Sequence, residues 1–309
     1  VDNLTYAGNL ENLKTIFNHK NHVFEKADIC NYKKIIKILN KYNPDSIMHL
    51  AASSHVDNSI KNPVDFINVN VNGTYSLLEA SKNYLLNNKK RNFVFQYIST
   101  DEVFGSISGK RKFTEGSKFK PNNPYAASKA SGELLVRAWN KTYGLPTIVT
   151  NTSNNYGPYQ FIEKLIPMTI ICCLNNKNIP VYGNGKNIRD WIHVDDNAHA
   201  LFRILRKGKV GSTYNIGANN EISNINIVKK ILKILDKKLD KEDSHLKLIN
   251  FVNDRPGHDF KYAINFSKIK KEIGWKPKIS FNSGLEKTVD WYIKNNSWVK
   301  KNLKKLPKL

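Results

Sequence analysis

The chain has 309 residues, of which 40% are hydrophobic, and this length suits two domains or one large α/β unit with a sizeable core. The sequence has no run of 18 apolar residues and no apolar leader segment, which disfavours a membrane-spanning protein. Its three cysteines are too few for a disulfide framework, which disfavours a disulfide-rich secreted protein. We therefore predict a cytoplasmic protein. The net charge of +23 would suit nucleic-acid binding, but only seven of the 49 basic residues are arginine and the lysines are spread along helix faces, so we interpret the charge as compositional bias.

Strand-like and helix-like segments alternate along the first half of the chain. The strand-like segments are HVFEKA (22–27), SIMHLAA (46–52), FVFQYIS (93–99), TIVTN (147–151) and TYNIG (213–217). The helix-like segments, with apolar residues at a period of 3.6, are 31–43, 63–86 and 124–143. This alternation predicts an α/β fold with a doubly wound, Rossmann-like parallel sheet. After residue 157 the sequence is richer in turns, with helices near 224–235 and 283–293, which predicts a smaller C-terminal domain.

The start of the chain departs from the usual dinucleotide-binding pattern. That pattern runs strand, glycine-rich turn, helix, and then a second strand that ends in an acidic residue about 20 residues past the glycines. Val1 and Asp2 fit the end of the second strand, with Asp2 as the acidic residue for the adenosine ribose. We therefore expect that the first βα unit is missing, and that these 309 residues alone are poorly soluble and hold no NAD.

Polar clusters follow three of the predicted strands. They are LAASSHVD, STDEVFG and TSNNYGP. In a doubly wound sheet, ligands bind beyond the carboxyl ends of the strands, so the three clusters should lie along one edge of the sheet. The second cluster places Asp101 beside Glu102 directly after a buried strand, where two adjacent carboxylates repel each other and gain little from packing. Their position favours a chemical role over a solvated turn.

The segment YAASK places Tyr125 and Lys129 one helical turn apart on one face. A nearby ammonium lowers the pKa of a phenol, and a phenolate can take a proton from an alcohol during hydride transfer. The spacing alone is weak, since a second match, Tyr182 with Lys186, lies in a glycine-rich loop. Only the first match opens a helix and follows a strand that ends in Ser-Thr.

Thr100, Tyr125 and Lys129 together resemble the hydroxyl donor, tyrosine and lysine of the short-chain dehydrogenase/reductases. Within the extended branch of that superfamily, the chain resembles the dTDP-glucose 4,6-dehydratase family. The motifs that carry the resemblance, in family order to about Trp298, are DNLTYAGNL, LAASSHVDNSI, NVNGTYSLLEA, ISTDEVFG, NPYAASKA, TSNNYGPYQFIEKLIP, VYGNGKNIRDWIHVDD, TYNIGANNE, DRPGHD and GWKP.

The resemblance implies an NAD-dependent dehydration of a nucleotide sugar and a role for each catalytic residue. Tyr125 would deprotonate the sugar C4 hydroxyl while hydride passes from C4 to NAD⁺. Glu102 would then remove the acidified C5 proton as Asp101 protonates the departing C6 hydroxyl. Hydride finally returns to C6, which gives a 4-keto-6-deoxy sugar. Two carboxyl groups in different protonation states are needed for this, and mutual repulsion is one route to that difference.

The resemblance also implies binding residues and an assembly. The expected NAD contacts are Asp2, Asn3, Thr5, Asp28, Ile29, Leu50, Ala51, Ala52, Tyr125, Lys129 and Asn155. The expected contacts of the nucleoside-diphosphate sugar are Ser54, Thr100, Asn154, Lys164, Pro180, Tyr182, Arg189, Asn224, Arg255 and His258. Residues 1–156, with 186–220 returning to them, would form the NAD-binding domain, and 157–185 with 221–309 the sugar-nucleotide-binding domain. No metal, nucleic-acid or membrane partner is expected.

Arginine use supports the assignment at the nucleotide end, because Arg189 and Arg255 are two of only seven arginines and an arginine fork fits a phosphate in a way that lysine cannot copy. The alternative is a structural ion pair with Asp190 or Asp254. A homodimer is expected from apolar residues on helices 63–86 and 124–143 beyond what one sheet face needs, namely Phe66, Val69, Tyr75, Leu78, Leu134, Leu135, Ala138 and Trp139.

Three positions depart from the family, which usually has Glu at Ser53, Tyr at Phe104 and Thr at Val69. None of these three positions is an assigned proton-transfer residue, so the departures leave the expected reaction unchanged. The alternatives are a UDP-sugar 4,6-dehydratase or 4-epimerase, a catalytically impaired nucleotide-sugar-binding homologue, and, more distantly, a basic nucleic-acid-binding protein. A 4-epimerase needs Tyr125 and Lys129 but no carboxyl pair for C5 and C6.

Overall fold

The structure is a computed structural model that describes residues 1–88, 92–240 and 243–305. The strands in these ranges are β1 (Ser46–His49), β2 (Val94–Thr100), β3 (Thr147–Thr152), β4 (Asn154–Tyr156), β5 (Ile179–Tyr182), β6 (Ile188–His193), β7 (Thr213–Ile216), β8 (Glu221–Ser223) and β9 (Ile249–Val252). The α-helices are α1 (Tyr32–Tyr42), α2 (Val56–Lys61), α3 (Pro63–Phe66), α4 (Thr74–Asn88), α5 (Pro124–Tyr143), α6 (Leu165–Leu174), α7 (Val194–Lys207), α8 (Asn224–Lys238), α9 (Ser267–Ile273), α10 (Phe281–Lys294) and α11 (Asn296–Leu303).

The main sheet is parallel, with strand order β1-β2-β3-β7. One face packs on α1, α4 and α5, and the other on α7 and α9, each through its own apolar core. The predicted α/β class and the doubly wound parallel sheet are confirmed. The predicted strand at 22–27 is wrong: only Lys26 pairs, in a single bridge with Asp2, and Val23 is exposed, so the segment buries too little apolar surface to form a strand.

Helix α5 has the bounds that its sequence predicts, because the sequence marks both its start and its end. The Asn123 side chain accepts a hydrogen bond from the backbone N–H of Ala126, and Pro124 occupies the first turn. Gly144 ends the helix in the left-handed conformation at φ 66°. The helix lies over β2 and β3 and starts near their carboxyl ends, which places its first turn at the edge of the sheet where ligands are expected.

Residues 63–86, predicted as one helix, form α3, a π-helical segment (Ile67–Gly73) and α4. The π-helical segment turns Asn70 inward, where its side chain bonds the backbone of Ser53 and the hydroxyl of Ser128. Two residues expected at a dimer face are instead part of the protomer interior: Phe66 is 3% exposed and Leu78 is fully buried. They fill space under α5 and over β2, so they are unavailable to a partner.

A second lobe forms from the later part of the chain. Sheet β4-β6-β8 and the parallel pair β5-β9 pack with α6, α8 and α10 around a core of aliphatic and aromatic residues. The helices expected near 224–235 and 283–293 are confirmed as α8 and α10. Helix α6 has no single polar face, so its periodicity gave no helical signal. Across the described ranges, no helix combines the length and apolarity needed to cross a membrane.

Candidate active site

The carboxyl end of β2 carries the two adjacent acids in a 3₁₀ turn (Asp101–Phe104). The Thr100 hydroxyl starts that turn: it accepts from the Glu102 backbone N–H at 3.3 Å and donates to Asp101 Oδ1 at 3.3 Å. Asp101 is 1% exposed, and its Oδ2 is buried without a hydrogen-bond partner among the described residues. Burial first, and then the charges of Glu102 and Asp190, raise the pKa of Asp101 well above its usual range. Burial therefore favours the protonated form of Asp101, which has a proton to donate.

Glu102 is half-buried beside a tyrosine that the sequence analysis missed. The Tyr262 hydroxyl lies 3.4 Å from Glu102 Oε2 and donates to Asp259 Oδ2 at 2.7 Å. The Arg189 guanidinium lies 4.1 Å from the centre of the Tyr262 ring. The one available signal for Tyr262 was its place three residues after the DRPGHD motif. The two acids thus sit in different surroundings, because Asp101 is buried and Glu102 is partly exposed.

Tyr125 occupies the first turn of α5, as predicted, with its ring against Phe66 at 6.4 Å. Burial and the charges of Glu102 and Asp101 raise the pKa of the phenol, and a hydrogen bond from Thr100 lowers it. The structure thus brings Thr100, Asp101, Glu102 and Tyr125 together, as the sequence predicted.

The expected effect of Lys129 on Tyr125 is different in the structure. The Lys129 ammonium donates to the Ile98 carbonyl at 2.7 Å and lies 4.2 Å from the Tyr97 ring centre, so it points back toward β2. Burial lowers the pKa of Lys129 to about 7. Burial first, and then the charge of Glu102, raise the pKa of the Tyr125 phenol, so the lowering expected from Lys129 is not found in the ligand-free chain.

In the structure Arg189 binds backbone carbonyls, whereas the sequence predicted either a phosphate contact or an ion pair with a carboxylate. Its guanidinium is buried and donates to the backbone carbonyls of Ile188, Asp259 and Phe260 at 2.8, 2.9 and 3.4 Å. Asp190, the expected alternative partner, instead accepts from backbone N–H groups in the loop after β7. Arg189 therefore ties β6 to the segment that follows DRPGHD, and with it the position of Tyr262.

Arg255, unlike Arg189, contacts a carboxylate on α2. Its Nη1 lies 3.5 Å from Asp57 Oδ1, and its Nε is buried without a partner in the described part of the chain. Tyr182 donates to the other Asp57 oxygen at 2.8 Å, and its ring faces His258 at 6.3 Å. His258 Nδ1 is 2.5 Å from Asp254. Asp57, on α2, was not singled out from the sequence, yet its carboxylate contacts two of the expected substrate residues.

The remaining expected substrate residues line the same region. Lys164 donates to the Ser54 carbonyl at 3.0 Å, and Asn154 has a buried Oδ1 without a partner in the described ranges. Pro180 is exposed in β5, and Asn224 begins α8 with its backbone N–H on the Asn187 carbonyl. The second Tyr-x-x-x-Lys match does not form a helical pair, because Tyr182 ends β5 and Lys186 follows in a turn.

The other expected cofactor residues lie in separate segments of the chain: at its start, before α1, directly after β1 and in β4. Asn3 donates to Asp28 at 3.0 Å, and Asp2 accepts from the Leu4 backbone N–H. The other members of this group are Thr5, Ile29, Leu50, Ala51, Ala52 and Asn155; Leu50 and Ala51 are exposed directly after the strand, and Ile29 is buried.

The donor set of these segments fits a nucleotide cofactor. The Oδ1 of Asn155 is buried and has no partner within the described residues, while its Nδ2 is held by Thr152 and by the Ser153 carbonyl. An exposed apolar surface at Leu50, together with an unsatisfied acceptor at the same edge of the sheet, suits a flat polar ring.

Phe104, one of the departures from the family, is buried in an aromatic cluster. Its ring lies 5.2 Å from that of Phe113 and 5.8 Å from that of Phe119. The ring is 1% exposed, so an added hydroxyl would need a hydrogen-bond partner in this apolar surrounding. Phenylalanine is consistent with the packing of this chain, and the change leaves the two acids in place.

Comparison with known proteins extends these observations. The family model described as GDP-mannose 4,6 dehydratase matches residues 1–288. A dTDP-glucose 4,6-dehydratase of Shigella flexneri is 51% identical, over 97% of this chain and 86% of that protein. The crystal structure of a Bacillus anthracis dTDP-glucose 4,6-dehydratase in complex with NAD has a TM-score of 0.87 at 42% identity, covering 97% of this chain and 89% of that one. A Streptomyces venezuelae dTDP-glucose 4,6-dehydratase with NAD and TYD bound has a TM-score of 0.90 at 38% identity, covering 96% and 87%.

Proposed function

The chain belongs to the dTDP-glucose 4,6-dehydratases, within the family of the GDP-mannose 4,6 dehydratase model, and from that membership we propose how its own residues carry out the reaction. The protein is an NAD-dependent hydro-lyase that converts dTDP-glucose into dTDP-4-keto-6-deoxyglucose in deoxysugar biosynthesis. We place this step in the cytoplasm.

Tyr125 and Thr100 act at the sugar C4 hydroxyl. Tyr125 reacts as the phenolate, whose oxygen takes the proton of the C4 hydroxyl. A hydrogen bond with Thr100 favours this phenolate, since it lowers the pKa of Tyr125 in the ligand-free chain. NAD⁺, when bound, accepts the hydride of C4 and returns it at C6. The residues that fit this cofactor are Asp2, Asn3, Leu50, Ala51 and Asn155, with the rest of the predicted set around them.

Asp101 and Glu102 carry out the elimination. The C4 ketone acidifies the C5 hydrogen, which Glu102 removes as a proton. Asp101 donates its proton to the C6 hydroxyl, which leaves as water. Once C6 is reduced, C5 takes a proton back from Glu102, whose proton has meanwhile exchanged with solvent. Tyr125 then still holds the C4 hydroxyl proton while Asp101 lacks its own, so transfer of one proton from Tyr125 to Asp101, with no net proton gained or lost, resets the site. The observation that carries this assignment is the burial of Asp101, which keeps it protonated beside a second acid.

Lys164, Arg255, Tyr182 and His258 bind the nucleotide end of the substrate from residues 157–185 and 221–309. Arg255 supports this best, since its buried Nε has no partner in the described ranges and a diphosphate oxygen would satisfy it. Residues 1–156 with 186–220 form the cofactor-binding unit.

Turnover in D₂O tests the function directly. With dTDP-glucose and added NAD⁺, the expected product is a 4-keto-6-deoxy sugar with one deuterium at C5, because the C5 hydrogen leaves as a proton and is replaced from solvent. A C4 epimer without loss of water would establish the epimerase alternative. Tight binding of the sugar nucleotide without any product would establish the impaired homologue.

A homodimer is proposed through α4 and α5. After Phe66 and Leu78 are set aside, exposed apolar residues still cross both helices: Leu134 is 56% and Tyr75 50% exposed, and the Tyr75 ring packs on Trp139 at 5.8 Å. Two such helices from each protomer can close a four-helix interface. Sedimentation at micromolar concentration should give a dimer, and Leu134→Glu a monomer; a monomeric parent chain would contradict the proposal.

A further inference from the structure

The carboxylate of Glu133 is buried directly behind the Tyr125–Lys129 pair and has no role in the steps above. Its side chain is fully buried. Oε1 accepts from Arg137 Nε at 3.2 Å and Nη2 at 2.7 Å, and Oε2 accepts from Asn151 Nδ2 at 2.9 Å. Glu133 is the residue one helical turn after Lys129, on the same face of α5.

Stability alone gives a weak reason for this arrangement. A buried ion pair often contributes no more than an apolar pair of similar volume, because both charges lose their hydration. The contacts do connect α5 with two strands: Asn151 belongs to β3, and Arg137 also donates to the Thr213 hydroxyl on β7 at 2.8 Å. The cluster therefore joins α5 to the two strands beneath it.

The surroundings of Lys129 show why a negative charge is needed there. On β1, His49 is buried, and burial together with the charge of Lys129 lowers the pKa of His49 to about 3, so it is neutral. On β2, the Tyr97 ring and the Ile98 carbonyl face the ammonium. Tyr125 and Glu133 complete the shell from α5. Burial lowers the pKa of Lys129 to about 7, and Glu133 is the charge that opposes this.

We propose that Glu133 is a positioning residue for the reaction: its buried carboxylate, one helical turn after Lys129, favours the charged form of that lysine and, through Asn151 and Arg137, holds α5 against β3 and β7. The inference rests on the proposed function only for its kinetic consequence. Without Glu133 the balance would shift further toward the uncharged amine, and the contact of the ammonium with the Ile98 carbonyl, one helical turn from Tyr125 along α5, would weaken.

The test follows the titration of Lys129 itself. The folded chain is pulsed with trace acetic anhydride at a series of pH values without added cofactor, and acylation of Lys129 is measured by peptide mass spectrometry against the other lysines of the same chain. The parent midpoint is expected near pH 7. In Glu133→Gln the midpoint should fall by about one pH unit, because the opposing charge is gone. Glu133→Asp should stay close to the parent.

Asn151→Ser is the matched structural variant, since it removes the same contact between α5 and β3 but leaves the Glu133 charge. It should lower the Tm without moving the Lys129 midpoint. With dTDP-glucose, Glu133→Gln should lose at least about tenfold in kcat at neutral pH with KM within about twofold. Should Glu133→Gln fail to fold, Arg137→Gln at the partly exposed end of the cluster removes the neutralising cation, and the midpoint should rise.

An unmoved Lys129 midpoint in folded Glu133→Gln overturns the proposal, as does a midpoint in Arg137→Gln that stays or falls. The labelling experiment needs no substrate. A parent chain that fails to turn over dTDP-glucose therefore contradicts the proposed function while the role of Glu133 is still measured.

Discussion

Replacing Asp101 by asparagine should separate the stability of this fold from its chemistry. Asparagine has nearly the same shape, stays neutral, and keeps an oxygen for the Thr100 hydroxyl. Because the pKa of Asp101 is raised in the folded chain, its contribution to stability is complete below the unfolded pKa and is lost as the pH rises toward the folded pKa. Over that window the contribution of Asp101 to the free energy of unfolding falls by about 1.4 kcal/mol for each pH unit above about 3.9.

Asp101→Asn lacks this pH-dependent loss. The difference in the free energy of unfolding between variant and parent should therefore start at a constant value near pH 4 and grow by about 1.4 kcal/mol per pH unit in favour of the variant. The variant also lacks the proton that the departing C6 hydroxyl needs. A general acid contributes about 10²–10⁴ in rate, so dehydration should slow by that factor.

Urea unfolding of both proteins at pH 4, 5, 6 and 7 measures the first effect, and formation of the 4-keto-6-deoxy product the second. Asp65→Asn is the matched control for an Asp-to-Asn change, at an exposed aspartate on α3 whose side chain accepts from the neutral amide of Asn62. A difference for Asp101→Asn that stays constant from pH 4 to 7, or dehydration as fast as in the parent, would show that Asp101 is not a buried protonated acid.

Other changes test other parts of the site. Glu102→Gln should still oxidise C4 but exchange the C5 hydrogen with solvent about 10²–10⁴ times more slowly, measured by NMR in D₂O; undiminished exchange contradicts its role as base. Arg255→Lys should raise KM about tenfold with kcat little changed, whereas Arg189→Lys should lower the free energy of unfolding by about 1–3 kcal/mol through its lost carbonyl contacts; the reverse pattern would exchange their roles. Gly132→Ala places a Cβ 2.3 Å from a buried tyrosine hydroxyl and should cost about 1–3 kcal/mol in urea unfolding, against no change for Gly116→Ala, which has open space.

Local signals in the sequence determined the fold class and the reacting groups. The Asn-Pro start of α5 and its glycine end are encoded within a few residues, so its bounds and the place of Tyr125 followed from the sequence. The strand before Asp101 and Glu102 was also predicted from residues that are close together in the sequence. The broken helix at 63–88 was not, because a π-helical turn forms where Asn70 gains buried partners far along the chain.

Only the tertiary structure decided what the charged side chains do. Asp57 meets Tyr182 and Arg255, and Glu102 meets Tyr262, across separations of more than 120 residues. The ammonium of Lys129 turns to the Ile98 carbonyl because packing against β2 places that acceptor beside it. Residue types and spacing specify backbone conformation over one or two turns, but the partner and the ionisation of a buried group depend on which distant atoms exclude water from it.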